Sequence, residues 1–276
     1  MKIYRYVIDG LVILLALFVF GPHLYYLLPY DYVDTTLPDD VADYNIAMYT
    51  YLESLPQDFQ TLLAEPTGLT GTQRFRTQEN RSLLSAEEVY EQSKDSVVII
   101  ETMDMYGDPY SGGGVVLSSD GLIVTSYHQL QDAEKVAVSL YDGSIVKVTD
   151  VVAYDEALDI AFIKIDSVDL QPMPIGDSAL LSIGERVYSI GHPEGFHHSF
   201  AEGVVSGIRD YSSRGEGIQI QMTNPISAGN SGGALLNTYG ELVGIPSWSL
   251  EYEDNIVSIQ NLNFSIPIRE ALGILE

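Results

Sequence analysis

The chain has 276 residues, 46% of them hydrophobic, enough for one or two packed domains. Its 39 acidic and 13 basic residues give a net charge of −26, which argues against a nucleic-acid partner and against docking on anionic lipid. The absence of cysteine excludes disulfides, thiol nucleophiles and thiolate metal sites.

Lys2 and Arg5 lie in a short basic N-terminus, residues 1–6. Residues 7–28 are an apolar run of roughly 22 residues, interrupted by Asp9 and Gly21-Pro22, the length that spans a bilayer. No convincing small-x-small cleavage site follows it, so an uncleaved anchor is expected rather than a signal peptide. The next basic residue is Arg74, whereas Asp31, Asp34, Asp39, Asp40 and Asp43 follow the run. That bias predicts a cytoplasmic N-terminus, with the rest of the chain on the periplasmic or exterior face.

Residues 29–84 read as an extracytoplasmic spacer. Residues 41–63 have helical character broken at Pro56, and 65–80 are rich in Thr, Gly and Gln, as in a linker. Ser85 followed by Glu87 and Glu88 predicts the N-cap of a short helix reaching about Lys94.

From Asp95 the pattern turns to short strands bounded by turn residues. Before residue 170 they are expected over 96–102, 112–117, 122–125, 135–141, 144–154 and 160–165. After it they are expected over 186–190, 200–209, 217–222, 234–236, 241–248 and 262–266. Two antiparallel six-stranded barrels fit this all-β spacing. Residues 268–275 predict a short closing helix.

The stretch Gly229-Asn230-Ser231-Gly232-Gly233 sets a serine in a glycine-framed turn, which can aim backbone N–H groups at a developing oxyanion. It also matches G-x-S-x-G, so alone it is ambiguous. A serine nucleophile needs a base. The five histidines, His23, His128, His192, His197 and His198, all precede Ser231, which excludes the hydrolases ordered Ser, Asp, His. The order His, Asp, Ser stays open. His128 ends a predicted hairpin at the mouth of a strand. Asp159 directly precedes the apolar strand 160–165, where a part-buried carboxylate needs a partner such as an imidazole N–H.

Three segments resemble a known family. Gly112-Gly113-Gly114-Val115-Val116-Leu117 with Asp120-Gly121-Leu122-Ile123-Val124-Thr125-Ser126-Tyr127-His128 is similar to the histidine motif of HtrA/Deg-type trypsin-like serine proteases. Leu158-Asp159-Ile160-Ala161-Phe162-Ile163-Lys164 resembles their aspartate motif, and Gly229-Asn230-Ser231-Gly232-Gly233 with Leu242-Val243-Gly244-Ile245 their serine motif. Asn263-Phe264-Ser265-Ile266-Pro267 looks like the close of their protease domain. The resemblance covers about residues 85–276 and implies a double β-barrel with the active site between the barrels.

It further implies His128 as base, Asp159 as its orienting acid and Ser231 as nucleophile. The oxyanion hole would lie in Gly229, Asn230 and Ser231, through the N–H groups of Gly229 and Ser231 with Asn230 as a turn residue. The substrate pocket would fall near Ile226, Pro246, Ser247 and Trp248. No cofactor or metal is implied. His192, Glu194, His197 and His198 are metal-ligand types, but Ile190-Gly191-His192-Pro193 looks like the family's Gly-x-Pro turn and reads as a structural bend.

The expected activity is a serine endopeptidase acting on unfolded or membrane-proximal extracytoplasmic proteins. The alternative is a proteolytically silent scaffold or sensor. Relatives carry PDZ modules, and a PDZ-less form is expected here because the sequence ends at Glu276. They also form homotrimers through aromatic contacts near the start of the domain, where Tyr90 is the candidate.

Overall fold

The computed structural model describes residues 39–69, 81–167, 169–249 and 262–276. The proposed anchor, 7–28, lies outside the described residues. The chain divides into two units, 1–46 and 47–276. Helix α1 (Asp39–Ser54) begins in the first and ends in the second. Everything below concerns the second unit.

Helix α2 (Phe59–Ala64) follows after Pro56, as the proline predicts. Helix α3 (Ala86–Ser93) starts where the sequence places its cap. Ser85 Oγ accepts from Glu88 N at 3.2 Å, and Glu88 Oε2 accepts from Ser85 N at 2.8 Å, a closed capping box.

Among the described residues, twelve strands follow. The first six are β1 (Val97–Asp104), β2 (Pro109–Val116), β3 (Leu122–Thr125), β4 (Ala133–Ser139), β5 (Ile145–Asp155) and β6 (Ile160–Ile165). They close into a barrel in the order β1-β2-β3-β6-β5-β4. The second six are β7 (Arg186–Gly191), β8 (Ser199–Asp210), β9 (Ile218–Met222), β10 (Ala234–Asn237), β11 (Leu242–Ser249) and β12 (Asn263–Pro267). They close as β7-β8-β9-β12-β11-β10, the same topology repeated. Every pairing within a barrel is antiparallel. The expected all-β architecture of two six-stranded barrels is therefore present. Helix α4 (Ile268–Gly273) closes the fold.

Alternation along each strand sends neighbouring side chains to opposite faces. In β3 and β6 both faces are buried or nearly so. In β3, Ile123 faces the interior of the first barrel, while Leu122 and Val124 join a core shared with the second. In β6, Ala161 and Ile163 point inward, and Ile160 and Phe162 join the shared core. The apolar runs of the sequence are thus period-two strands with apolar surroundings on each side. From the second barrel, Tyr188, Ile190, Leu236 and Ile245 enter the shared core, and α4 adds Ile268 and Ala271. The barrels meet over this surface, and the site lies at its edge.

The spacer expected over 29–84 is partly helical, but its described residues do more than connect. Phe59 and Leu63 of α2 bury within the core of the first barrel. Gln60 Nε2 donates to Ala133 O at 2.6 Å, and the N–H groups of Thr67 and Gly68 donate to Val151 O and Val152 O at 2.9 Å.

Candidate active site

His128 sits in a single turn, Tyr127–Gln129, directly after β3. Two bonds fix it to one carboxylate. Its backbone N–H donates to Asp159 Oδ1 at 2.9 Å, and its ring Nδ1 lies 2.8 Å from Oδ2 and 3.0 Å from Oδ1. A carboxylate partner requires the proton on Nδ1, which leaves Nε2 as an acceptor. The preceding residue adds a third tie, Tyr127 N to Asp159 O at 3.2 Å. The Tyr127 ring stacks on Tyr154 at 5.0 Å, and its hydroxyl donates to Glu156 Oε1. Burial and that carboxylate push the phenol up to about 12.

Asp159 is one of the few non-glycine residues with left-handed backbone, φ 56°. Aspartate tolerates this region better than most residues. The loop before it is held by Asp155, whose Oδ1 accepts from Ala157 N and Leu158 N, each at 2.9 Å. The turn aims the carboxylate across at the strand end that carries His128.

Ser231 comes from the second barrel. Within 229–233, Asn230 N donates to Ser227 O at 3.0 Å, Gly232 N to Pro246 O at 2.8 Å and Gly233 N to Asn230 O at 3.2 Å. Among the described residues, the N–H groups of Gly229 and Ser231 have no acceptor. Gly229 has φ 91°, a conformation side chains resist. Asn230, grouped with these two in the sequence, has its N–H committed to the turn.

The Ser231 hydroxyl donates to Ser247 O at 2.8 Å, not to His128. The hydroxyl of the same Ser247 donates to Asp159 Oδ2. Ser247, expected in the pocket wall, is thus 5% exposed and joins the serine to the aspartate. Of the other expected pocket residues, Ile226 packs against the interior of the second barrel. Pro246 is buried and uses its carbonyl on Gly232. Trp248 stacks on Phe264 at 4.0 Å and donates Nε1–H to Gln219 Oε1 at 2.8 Å.

Two residues given no site role in the sequence reading complete the site. Gly113 N and Gln129 Nε2 both donate to Ser231 O at 2.7 Å. A Cβ at Gly113 would stand 2.4 Å from Gly233 N, so glycine is required for this approach. The run Gly112-Gly113-Gly114 inside a strand was the available signal.

The histidine-rich loop lies beside the Ser231 turn. His192 N donates to Gly229 O at 3.2 Å. The His192 ring is fully buried. Its Nε2 faces Val98 O at 3.1 Å, and its Nδ1 accepts from His198 N at 3.0 Å. His198 Nε2 faces Val97 O at 3.1 Å. Burial lowers both imidazoles, His192 to about 3, so both are neutral and brace the loop against β1. Among the described residues, no group of three or more histidines and carboxylates is arranged to hold a metal.

A family model for the trypsin-like peptidase domain matches residues 112–245. The chain carries a trypsin-like peptidase domain. It is homologous to the HtrA/Deg-type serine proteases. The chain is 37% identical over 167 residues to the serine endoprotease DegS of Haemophilus influenzae, covering 59% of this chain and 48% of that protein. It is 34% identical over 210 residues to the chloroplastic Protease Do-like 1 of Arabidopsis thaliana, covering 70% of this chain and 47% of that one. The chain thus spans about half the length of these relatives. The trypsin-like domain also resembles the solved HtrA-type protease AlgW with a tripeptide, at TM-score 0.63 and 28% identity over 70% of this chain and 62% of that one. A serine endoprotease from Yersinia pestis matches at TM-score 0.60 and 30% identity, over 70% and 65%.

Proposed function

We propose that the protein is a serine endopeptidase in which Ser231 attacks a peptide carbonyl, His128 carries the proton and Asp159 holds the imidazole. The observation that carries the reading is the fixed pair of His128 Nδ1 and Asp159, which leaves Nε2 free to act as the acceptor for a serine hydroxyl. A neutral imidazole so oriented accepts the hydroxyl proton as the serine oxygen bonds to the carbonyl carbon. It then returns the proton to the leaving amine. The unengaged N–H groups of Gly229 and Ser231 suit the oxyanion that forms between these steps.

In the resting arrangement the hydroxyl is parked on Ser247 O. The hydroxyl must leave this bond before it can donate to His128. Catalytic hydrogen bonds commonly tighten only with substrate bound. The same parked hydroxyl is what favours the second reading, a proteolytically silent binding domain.

The substrates proposed are peptide segments of unfolded or membrane-proximal proteins outside the cytoplasm. Relatives named as periplasmic endoproteases, and a structural neighbour bound to a tripeptide, support this. Residues 7–28 would tether the domain to the membrane with residues 1–6 in the cytoplasm, and assembly would be trimeric through the region of Tyr90. The protease domain would run over 85–276, with 29–84 leading into it.

A fluorophosphonate probe on the full chain tests the central claim. Labelling of the wild type that disappears in Ser231→Ala supports the peptidase. A folded wild type that stays unlabelled, alone and with added peptide, leaves the silent domain.

A further inference from the structure

We infer that Gln129 is a positioning residue for Ser231, acting through one hydrogen bond across the junction of the two barrels. This rests on the peptidase reading above. Ser231 and the turn around it belong to the second barrel, and the turn's own bonds to Ser227, Pro246, Asn230 and His192 all stay within that barrel. His128 and Asp159 belong to the first. Ser231 O is the point at which the turn is tied to the first barrel. It accepts from Gly113 N of β2 and from Gln129 Nε2, each at 2.7 Å. Of these two donors only Gln129 is a side chain.

Gln129 directly follows His128. Three consecutive residues therefore do related work. Tyr127 N–H and His128, through its N–H and ring, grip Asp159, and Gln129 grips the peptide of Ser231. One short turn sets the distance between the proposed base and the proposed nucleophile.

The chemistry of the carboxamide separates this role from packing. Only the NH₂ end can meet a carbonyl, so the orientation of the amide is fixed by its partner. That orientation leaves Gln129 Oε1 buried without a partner. A stranded amide oxygen is unfavourable. A methionine would fill the same volume without stranding anything, so space-filling does not account for glutamine. The bond to Ser231 O does. Room for the carboxamide is made by two glycines. A Cβ at Gly112 would lie 2.1 Å from Gln129 Oε1, and one at Gly232 would lie 2.5 Å from Nε2.

The test compares Gln129→Met and Gln129→Glu with the wild-type full chain. Three readouts are taken: phosphonylation rate, kcat and KM on a peptide substrate, and hydrogen exchange of the backbone spanning 229–236. Loss of alignment on the order of 1 Å can lower a rate about a hundredfold. Gln129→Met should lower kcat and the phosphonylation rate by about ten- to a hundredfold, leave KM within about twofold, and speed exchange in this segment. Gln129→Glu turns two acceptors toward each other. Its rate relative to wild type should be lowest at neutral pH and should recover on acidification, as the carboxylic acid regains a donor for Ser231 O. A purely structural glutamine would not give that pH-dependent ratio, and the ratio needs only Gln129→Glu and the wild type even if the methionine variant fails to fold.

Wild-type rates and exchange in Gln129→Met, or a pH-independent ratio in Gln129→Glu, overturn the inference. An unlabelled wild type removes the peptidase reading instead. Exchange then decides alone: acceleration in a variant sustains the tie, and unchanged exchange overturns it.

Discussion

Three donors converge on the Asp159 carboxylate: His128 N, His128 Nδ1 and the Ser247 hydroxyl. The carboxylate can accept all three only because it is ionised and has no hydrogen of its own. An asparagine would present an NH₂ group at one of these positions. Turned toward the ring, that group would donate to Nδ1 and move the imidazole proton to Nε2, the atom that must accept from Ser231. Asp159→Asn is therefore expected to lower kcat by about 10⁴ with the fold intact, the size of effect a wrong tautomer produces in a triad. Steady-state kinetics on a peptide substrate checks this, and a loss smaller than about tenfold would mean that Asp159 does not set the tautomer.

At this scale the sequence was informative where chain order and residue type combined. His128 and Asp159 each mark a strand end, and the structure brings them together. Ser247 was assigned to the pocket because it lies in the strand after the serine motif, and burial there concealed its bond to Asp159. Gln129 left no motif, because its partner is a backbone carbonyl that any residue could supply.

Helix α2 shows what an element can hide. It has six residues, too few for an amphipathic period to stand out. Its two buried side chains, Phe59 and Leu63, are one helical turn apart and both enter the core of the first barrel. Strands such as β3 and β6 were easier, since each is a short apolar run bounded by turn residues. Their starts and ends were placed to within a few residues, and the twofold repeat of the topology follows from the matching spacing of the two sets. If α2 belongs to the folded domain, deleting the Phe59 ring should cost about 3–5 kcal/mol, as for other fully buried aromatics. Urea unfolding of Phe59→Ala measures this. A change below about 1 kcal/mol would show that the helix only rests on a barrel complete without it.

Over the whole molecule, the links between the barrels include apolar packing, the bonds at Ser231 O, the Ser247 hydroxyl on Asp159 and two neutral histidines. His192 and His198 bridge the loop after β7 to the carbonyls of Val98 and Val97, where β1 begins. Asp95 faces His198 and favours its charge, while His197 and His198 work against a charge on His192. His192 is held to about 3 in the fold, against about 6.5 when exposed, so the unfolded chain binds a proton that the folded chain refuses. Stability from this group is complete above pH 6.5 and is lost as pH falls toward 3. Each such proton gives a slope of about 1.4 kcal/mol per pH unit. The interval from pH 6.5 to 5 is the informative one, because it lies above the carboxylate range. Below it, neutralising a chain of net charge −26 relieves self-repulsion and acts in the opposite direction. His192→Gln keeps a donor for Val98 O and an acceptor for His198 N, and it removes the titration. Denaturant midpoints at pH 6.5 and 5 should fall in the wild type and fall less in the glutamine variant. Parallel losses in the two proteins would place the acid sensitivity elsewhere. Since His192 N also holds Gly229 O, the same acid step should loosen the turn that carries Ser231. Its hydrogen exchange is expected to rise together with the drop in midpoint.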